Sequence, residues 1–371
     1  MKPETQHWSL VFLLLLIILS IRFSLADHSG IPEVGYVAEM AKSPYYGAYR
    51  PFSNRVLLPV FFNLIGYLPK PGEPWMPVAG SVLMGLGTAL LLRVLGFSWC
   101  WVWLGVLCFS LSDGLIDILR EFAVHNVDAA SHVLILLALT AMRTQQDALF
   151  SLATMLGVLN RDWALVIIPG WYLYNYGFSL STSNLLRWAR VSLPSIAAYL
   201  LITQVYLPHT AISVIIQELE AVLPEFRIST ADFYLRELRQ LGISFWTQSV
   251  FSPAFYQFAW VAFWAPALAG TRFAPRNWNI FSLYYLLICL LQFIVARDVW
   301  RLSFYLYPVV LSLLLFWLRS ISEVFSQRIA LVLSTVLLAA FILWSDSYWL
   351  FFINGMLAGS IEWYRRMNII R

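Results

Sequence analysis

Charge is what this sequence has least of. Only 12% of its 371 residues are Asp, Glu, Lys or Arg, about half the share in a soluble globular chain. Cysteine is equally scarce. Cys100, Cys108 and Cys289 all lie inside apolar runs, with neither metal-ligand nor disulfide spacing, so they read as small core residues. The net charge of +4 comes without a basic block or an aromatic-interleaved basic strip, which excludes nucleic acid as a partner. There is no Walker loop, no GxGxxG after a strand, no HExxH and no GxSxG, so the chain has no signature of a nucleotide-driven pump or a common soluble hydrolase.

What is present is apolar. Hydrophobic residues make up 60% of the chain, with 17 Trp and 18 Tyr among them. No single water-soluble core hides that much apolar surface, whereas lipid is a suitable solvent for it. Apolar runs occupy 8–26, 75–93, 98–112, 126–142, 147–159, 163–178, 190–207, 251–270, 278–296, 302–318, 329–344 and 348–363. They predict an all-α, polytopic transmembrane bundle of about 11–13 membrane helices, forming one integral membrane domain over 1–371. The pair 147–159 and 163–178 could be one broken helix. A shorter run over 56–68 contains Pro59 and predicts a helix lying on, or dipping into, the outer face.

The N-terminus has two readings. Lys2, an apolar run and Ser24-Leu25-Ala26 resemble a cleavable signal peptide. The stretch is also long enough to span, and an uncleaved first helix is the preferred reading.

With the N-terminus in the cytoplasm, every inner segment is short and carries arginine. The inner side then holds twelve Lys or Arg, Arg93, Arg143, Arg187 and Arg319 among them, against four acids, as the positive-inside rule expects. The outer side receives two long segments: a first loop over 27–74, which contains the surface or re-entrant helix, and a second over 208–250. The second loop carries Asp232 and Arg236 at i,i+4 spacing, the pattern of a surface helix.

Four polar constellations fall on that outer side. Asp113, Asp117, Glu121, His125, Asp128 and His132 would share roughly 120° of a helix, a stripe running from the surface into a span. Asp128 and His132, at i,i+4, could share a proton or a divalent metal. The structural alternative is a solvated loop over 113–125, with Asp128 capping a helix. Asn160-Arg161-Asp162 either forms an outer turn or lines a cavity where a helix breaks, with Arg161 oriented by an aspartate beside it. Asp27-His28 begins the first loop, followed by Arg50 and Arg55 among aromatics; Asp27 is a candidate general base. Arg297 and Arg301, at i,i+4, could clamp an anionic head group or anchor a span at the interface.

The stretch His125–Pro169, HNVDAASHVLILLALTAMRTQQDALFSLATMLGVLNRDWALVIIP, resembles bacterial membrane glycosyltransferases of the GT-C superfamily. In these an Asp opens a leucine-rich span, and a later helix ends in an Asn-Arg-Glu-like motif. Here the motif is Asn160-Arg161-Asp162, with Asp in place of Glu. PYYGAYRPFSNRVLLP and RDVWRLSFYLYPVVLSLLL resemble the family's first outer loop and a late span.

The resemblance implies a GT-C-like fold in the bacterial inner membrane, with the site on the extracytoplasmic face. It implies an inverting transferase that moves a sugar from a polyprenyl-phosphate donor to a glycan or lipid acceptor. Asp27, Asp128 and Asp162 are the catalytic candidates. His28, Arg50, Arg55, His132, Arg161, Arg297 and Arg301 are the substrate-binding ones. Arg50, Arg161, Arg297 or Arg301 would hold the phosphate, and Asp128 with His132 would hold acceptor or metal. A transporter or flippase of a lipid-linked saccharide, and a non-catalytic assembly subunit, are the alternatives the residues leave open. Cysteines introduced at Gly30, Asp117 and Asp232 are expected to react with an impermeant maleimide from the extracytoplasmic side. Labelling from the cytoplasmic side would refute the topology.

Overall fold

A computed structural model describes residues 3–25, 41–43, 56–68, 75–112, 115, 127–206, 264–295, 304–326, 328–337 and 339. Among these residues the regular structure is helical and there is no strand. In chain order the helices are α1 (Pro3–Leu25), α2 (Leu57–Leu64), α3 (Trp75–Val94), α4 (Trp99–Leu111), α5 (Val127–Arg143) and α6 (Asp147–Asn160). A 3-10 turn, Asp162–Val166, leads into α7 (Ile167–Tyr176). α8 (Thr182–Leu200) continues as a π-helical segment, Leu201–Tyr206. Next come α9 (Trp264–Gly270), α10 (Arg276–Val295), a 3-10 turn Phe304–Leu306, α11 (Tyr307–Val324) and α12 (Arg328–Leu337).

Tight turns fix the antiparallel order. After α3, Gly96 at φ +92° lets the Phe97 amide donate to the Leu92 carbonyl at 3.1 Å, a helix stop that needs a left-handed residue. Gln145 takes the same role after α5 at φ +58°, and its side-chain amide donates to the Met142 carbonyl at 3.2 Å.

Polar contacts then identify the two ends of the bundle. At one end Arg93 pairs with Glu4 at 3.2 Å and lies over the Trp99 ring. At that same end Arg187 grips Asp147 with two bonds of 2.7 and 3.0 Å and bonds Tyr176 at 3.3 Å. At the other end Arg22, in the last turn of α1, donates to the carbonyls of Ser110 and Ser112, where α4 stops. Because Arg187 bonds both Asp147 and Tyr176, and Phe150 meets Trp171 at 5.9 Å, α6 and α7 are two antiparallel helices. The 147–178 stretch is therefore not one broken helix; the chain reverses at Asn160–Val166.

Among the described residues four helical stretches are long and apolar enough to cross a membrane: Glu4–Ser24, Pro77–Val94, Thr182–Tyr206 and Phe304–Val324. The last is central, 83% of it buried, against 22% for the first and 28% for the third. In α1 a seam of Val11, Leu15 and Leu19 is fully buried, while Leu10, Leu13, Ile17 and Ile21 are exposed. A helix apolar on both faces belongs in a solvent other than water, and the architecture is compatible with an integral membrane protein. The expected total of 11–13 membrane helices, the 208–250 loop and most of 27–74 extend over residues outside those described. Cys108 and Cys289 are buried as expected, but Cys100 is exposed, because it lies on the outward face of α4.

Small residues let backbones approach. A Cβ on Gly270 would overlap the carbonyl oxygen of Leu313 in α11, whereas one on Gly87 would meet the movable side chain of Leu136 at 3.1 Å. Alanine gains up to about 1 kcal/mol of helix propensity over glycine, and overpacking costs about 1–3 kcal/mol. Gly270→Ala is expected to lower the thermal midpoint of the purified protein clearly more than Gly87→Ala. Equal midpoints would contradict this packing.

Candidate functional site

Three of the ten residues singled out in the sequence meet at one place. Asp128 lies in the first turn of α5 and His132 one turn further in; both are 1% exposed. Arg161 follows the last residue of α6 in extended conformation (φ −165°, ψ 133°), so the helix stops there and its side chain is aimed across the bundle. Its guanidinium Nη1 donates to Oδ1 of Asp128 and, at 3.2 Å, to the hydroxyl of Tyr305. The Tyr305 hydroxyl donates in turn to the same Asp128 oxygen at 3.2 Å. The Arg161 guanidinium also stands 5.5 Å from the Tyr305 ring centre, within cation–π range.

The surroundings fix this triad. Asn160 donates to the Ser131 hydroxyl at 2.7 Å, joining the end of α6 to α5. The Val56 amide, just before α2, donates to the Leu159 carbonyl at 3.0 Å. Gly157 lets the chain fold back tightly, since a Cβ there would come within 2.6 Å of the Ala164 Cβ. The Tyr305 carbonyl accepts from the Tyr285 hydroxyl at 3.0 Å, and Trp163 meets the Tyr305 ring edge-on at 5.6 Å. A charged pair this enclosed is tolerable only because each charge faces the other and polar atoms surround both.

One expectation changes. Asp128 and His132 do not share a proton: the carboxylate is engaged by Arg161 and Tyr305. The His132 ring packs 4.2 Å from Tyr305 and 5.0 Å from Phe304, and neither of its nitrogens has a hydrogen-bond partner among the described residues. Among the described side chains the acidic partner of Arg161 is Asp128, 33 residues away. Asp162 opens the 3-10 turn beside the triad, but its side chain lies outside what is described.

Asp27, His28, Arg50, Arg55, Arg297 and Arg301 lie outside the described residues, as do Asp113, Asp117, Glu121 and His125 of the polar stripe. Among the described residues no group of three His, Cys, Asp or Glu side chains gathers to hold a metal.

Compared with known proteins, the chain matches no family model and no curated protein.

Two contacts at this end of the bundle were not legible beforehand. Tyr305 sits in the aromatic run Phe304-Tyr305-Leu306-Tyr307, where nothing distinguishes the tyrosine that turns inward; its position four residues after Arg301 was the available hint. Arg22, half-buried and set in a long apolar run, is the kind of intramembrane charge that marks a contact by default, and its contact is the end of α4.

Removing one member of a buried ion pair costs about 3–5 kcal/mol. Asp128→Ala and Arg161→Ala are each expected to lower thermal stability strongly. The double variant should lose less than the sum of the two, because neither charge is then left facing a missing counter-ion. Additive losses in this double-mutant cycle would show that the pair is not coupled.

Proposed function

We propose that this protein is a GT-C-like membrane glycosyltransferase. It transfers a sugar from a polyprenyl-phosphate donor to a glycan or lipid acceptor at the extracytoplasmic face of a bacterial inner membrane. The observation that carries the reading is the buried Asp128–Arg161–Tyr305 triad, held at one end of a bundle with membrane-length helices. The opposite end bears Arg93, Arg143 and Arg187, and the positive-inside rule assigns that end to the cytoplasm. The triad then faces away from it.

The chemistry fits these groups. The acceptor hydroxyl attacks the anomeric carbon, the carbon–oxygen bond to the lipid phosphate breaks, and the hydroxyl proton passes to a carboxylate. Negative charge builds on the departing phosphate, where a guanidinium stabilises it. Asp128 and Arg161 supply the two kinds of group within one hydrogen bond of each other. Asp27 remains the base that the family resemblance implies. Because the described charges of the site gather at one end of the bundle, a one-sided reaction is favoured over a path through the bilayer centre.

Purified protein incubated with polyprenyl-phosphate sugars and candidate acceptors is expected to consume donor. Asp27→Asn and Asp128→Asn should each reduce the rate by about 10²-fold or more, the usual contribution of a positioned acid or base. Absence of donor turnover across varied acceptors and divalent metals would remove the transferase reading.

A further inference from the structure

We propose that the outward face of α8 binds an anionic glycerophospholipid of the inner leaflet, with Arg190 holding its phosphate. The inference rests on the orientation of the bundle and not on the transferase reading, because this face lies towards the end opposite the Asp128–Arg161 pair.

The arginines at this end are balanced in different ways. Arg93 and Arg187 pair with Glu4 and Asp147, and Arg143 bonds the Tyr174 hydroxyl. Arg190 is exposed and has no ion-pair, hydrogen-bond or ring partner among the described residues. Arg276 is exposed too, but it opens α10, whereas Arg190 lies inside the membrane-length stretch Thr182–Tyr206.

The rotation of α8 is fixed by its other face. Trp188 Nε1 donates to the Ile168 carbonyl at 3.1 Å, and Ser195 donates to the Thr154 hydroxyl at 2.8 Å. Val191, Ser192, Ser195 and Ala198 are buried along that side. Arg190 therefore points away from the bundle. At 100° per residue it shares a row with Ser183 and Ala197, all within about 40°, and both of these are exposed. Leu186 and Leu193 flank it, 67% and 63% exposed. From the cytoplasmic end inwards, the face presents a hydroxyl, a cation and then apolar side chains, the order of a phospholipid's own parts.

Depth agrees with this match. Arg190 follows the start of the stretch by eight residues, about 12 Å along the axis. In a hydrocarbon core of about 30 Å that is below the inner head groups and short of the bilayer centre. Helical side chains tilt towards the N-terminus, which for α8 is the cytoplasmic end. The stem of Arg190 thus lies along apolar surface while its guanidinium is led back to the phosphate layer.

A positive charge facing lipid is costly unless an anion or water meets it. The anion at that depth is a lipid phosphate, whose paired oxygens suit the guanidinium fork. A zwitterionic head group brings a cation that competes for its own phosphate, so the face selects a net anionic one.

The test uses the full-length protein in neutral detergent, titrated with phosphatidylglycerol, phosphatidylcholine or diacylglycerol, with bound lipid counted by native mass spectrometry. The parent is expected to bind phosphatidylglycerol about fivefold tighter than phosphatidylcholine, the contribution of one basic residue at an anionic surface. Diacylglycerol should bind weakest. Arg190→Gln should remove the preference and Arg190→Lys should keep most of it, while Arg276→Gln leaves it intact. Without added lipid, the thermal midpoint of Arg190→Gln should equal that of the parent.

A preference that survives Arg190→Gln, or a parent with none, overturns the proposal. So does an equal loss in Arg276→Gln, which means diffuse attraction to net charge. A lower lipid-free midpoint in Arg190→Gln would reveal a protein contact instead, and a dimer that dissociates in that variant would show that a second copy covers the face; either result also overturns it.

Discussion

The contact between Arg161 and Asp128 is the constraint around which this end of the molecule is arranged. Neither charge is stable alone in so enclosed a place, so the elements that carry them must meet: the first turn of α5 and the extended residue after α6. The rest of the neighbourhood serves that meeting. Asn160 reaches Ser131, Gly157 allows the chain to reverse, and the turn before α11 supplies Tyr305 to the pair. Through Tyr285 and Trp163 the same turn is coupled to α10 and to the 3-10 turn after α6. One buried ion pair thereby ties together segments more than a hundred residues apart.

The opposite end uses charge differently. Arg93, Arg143 and Arg187 are partly exposed; Arg93 and Arg187 lie over Trp rings and pair with acids, and Arg143 bonds the Tyr174 hydroxyl. Such contacts suit a boundary between apolar and aqueous surroundings, where an arginine stem lies along apolar surface while its head reaches water or a ring. The two ends therefore differ in kind: an anchoring belt of arginine and aromatics at one, an enclosed acid–base cluster at the other. α11 runs between them through the centre of the packing. α1 and α8 stay at the periphery, with apolar side chains turned both inwards and outwards.

Much of the helical framework was legible because its signal is local. The apolar runs at 75–93, 98–112, 126–142 and 147–159 correspond within a residue or so to α3 to α6, since each run ends where glycine, serine or charge ends the helix. The reversal after Asn160 was harder to read. A polar tripeptide between two apolar runs fits a kink as well as a turn, and it is the joint hold of Arg187 on Asp147 and Tyr176 that distinguishes them.

The sequence by itself determined an α-helical, lipid-compatible chain, the positions of its turns and an unusual polar load at Asp128, His132 and Arg161. Tertiary structure alone decided how those residues divide their roles. Side chains at i,i+4 on a helix differ by about 40° in direction, enough to send Asp128 towards the end of α6 and His132 into the Phe304–Tyr307 aromatics. Likewise Arg161 pairs with an aspartate 33 residues distant in the chain. Charge pairing in an enclosed site depends on which helix ends are brought together, and no local pattern encodes that.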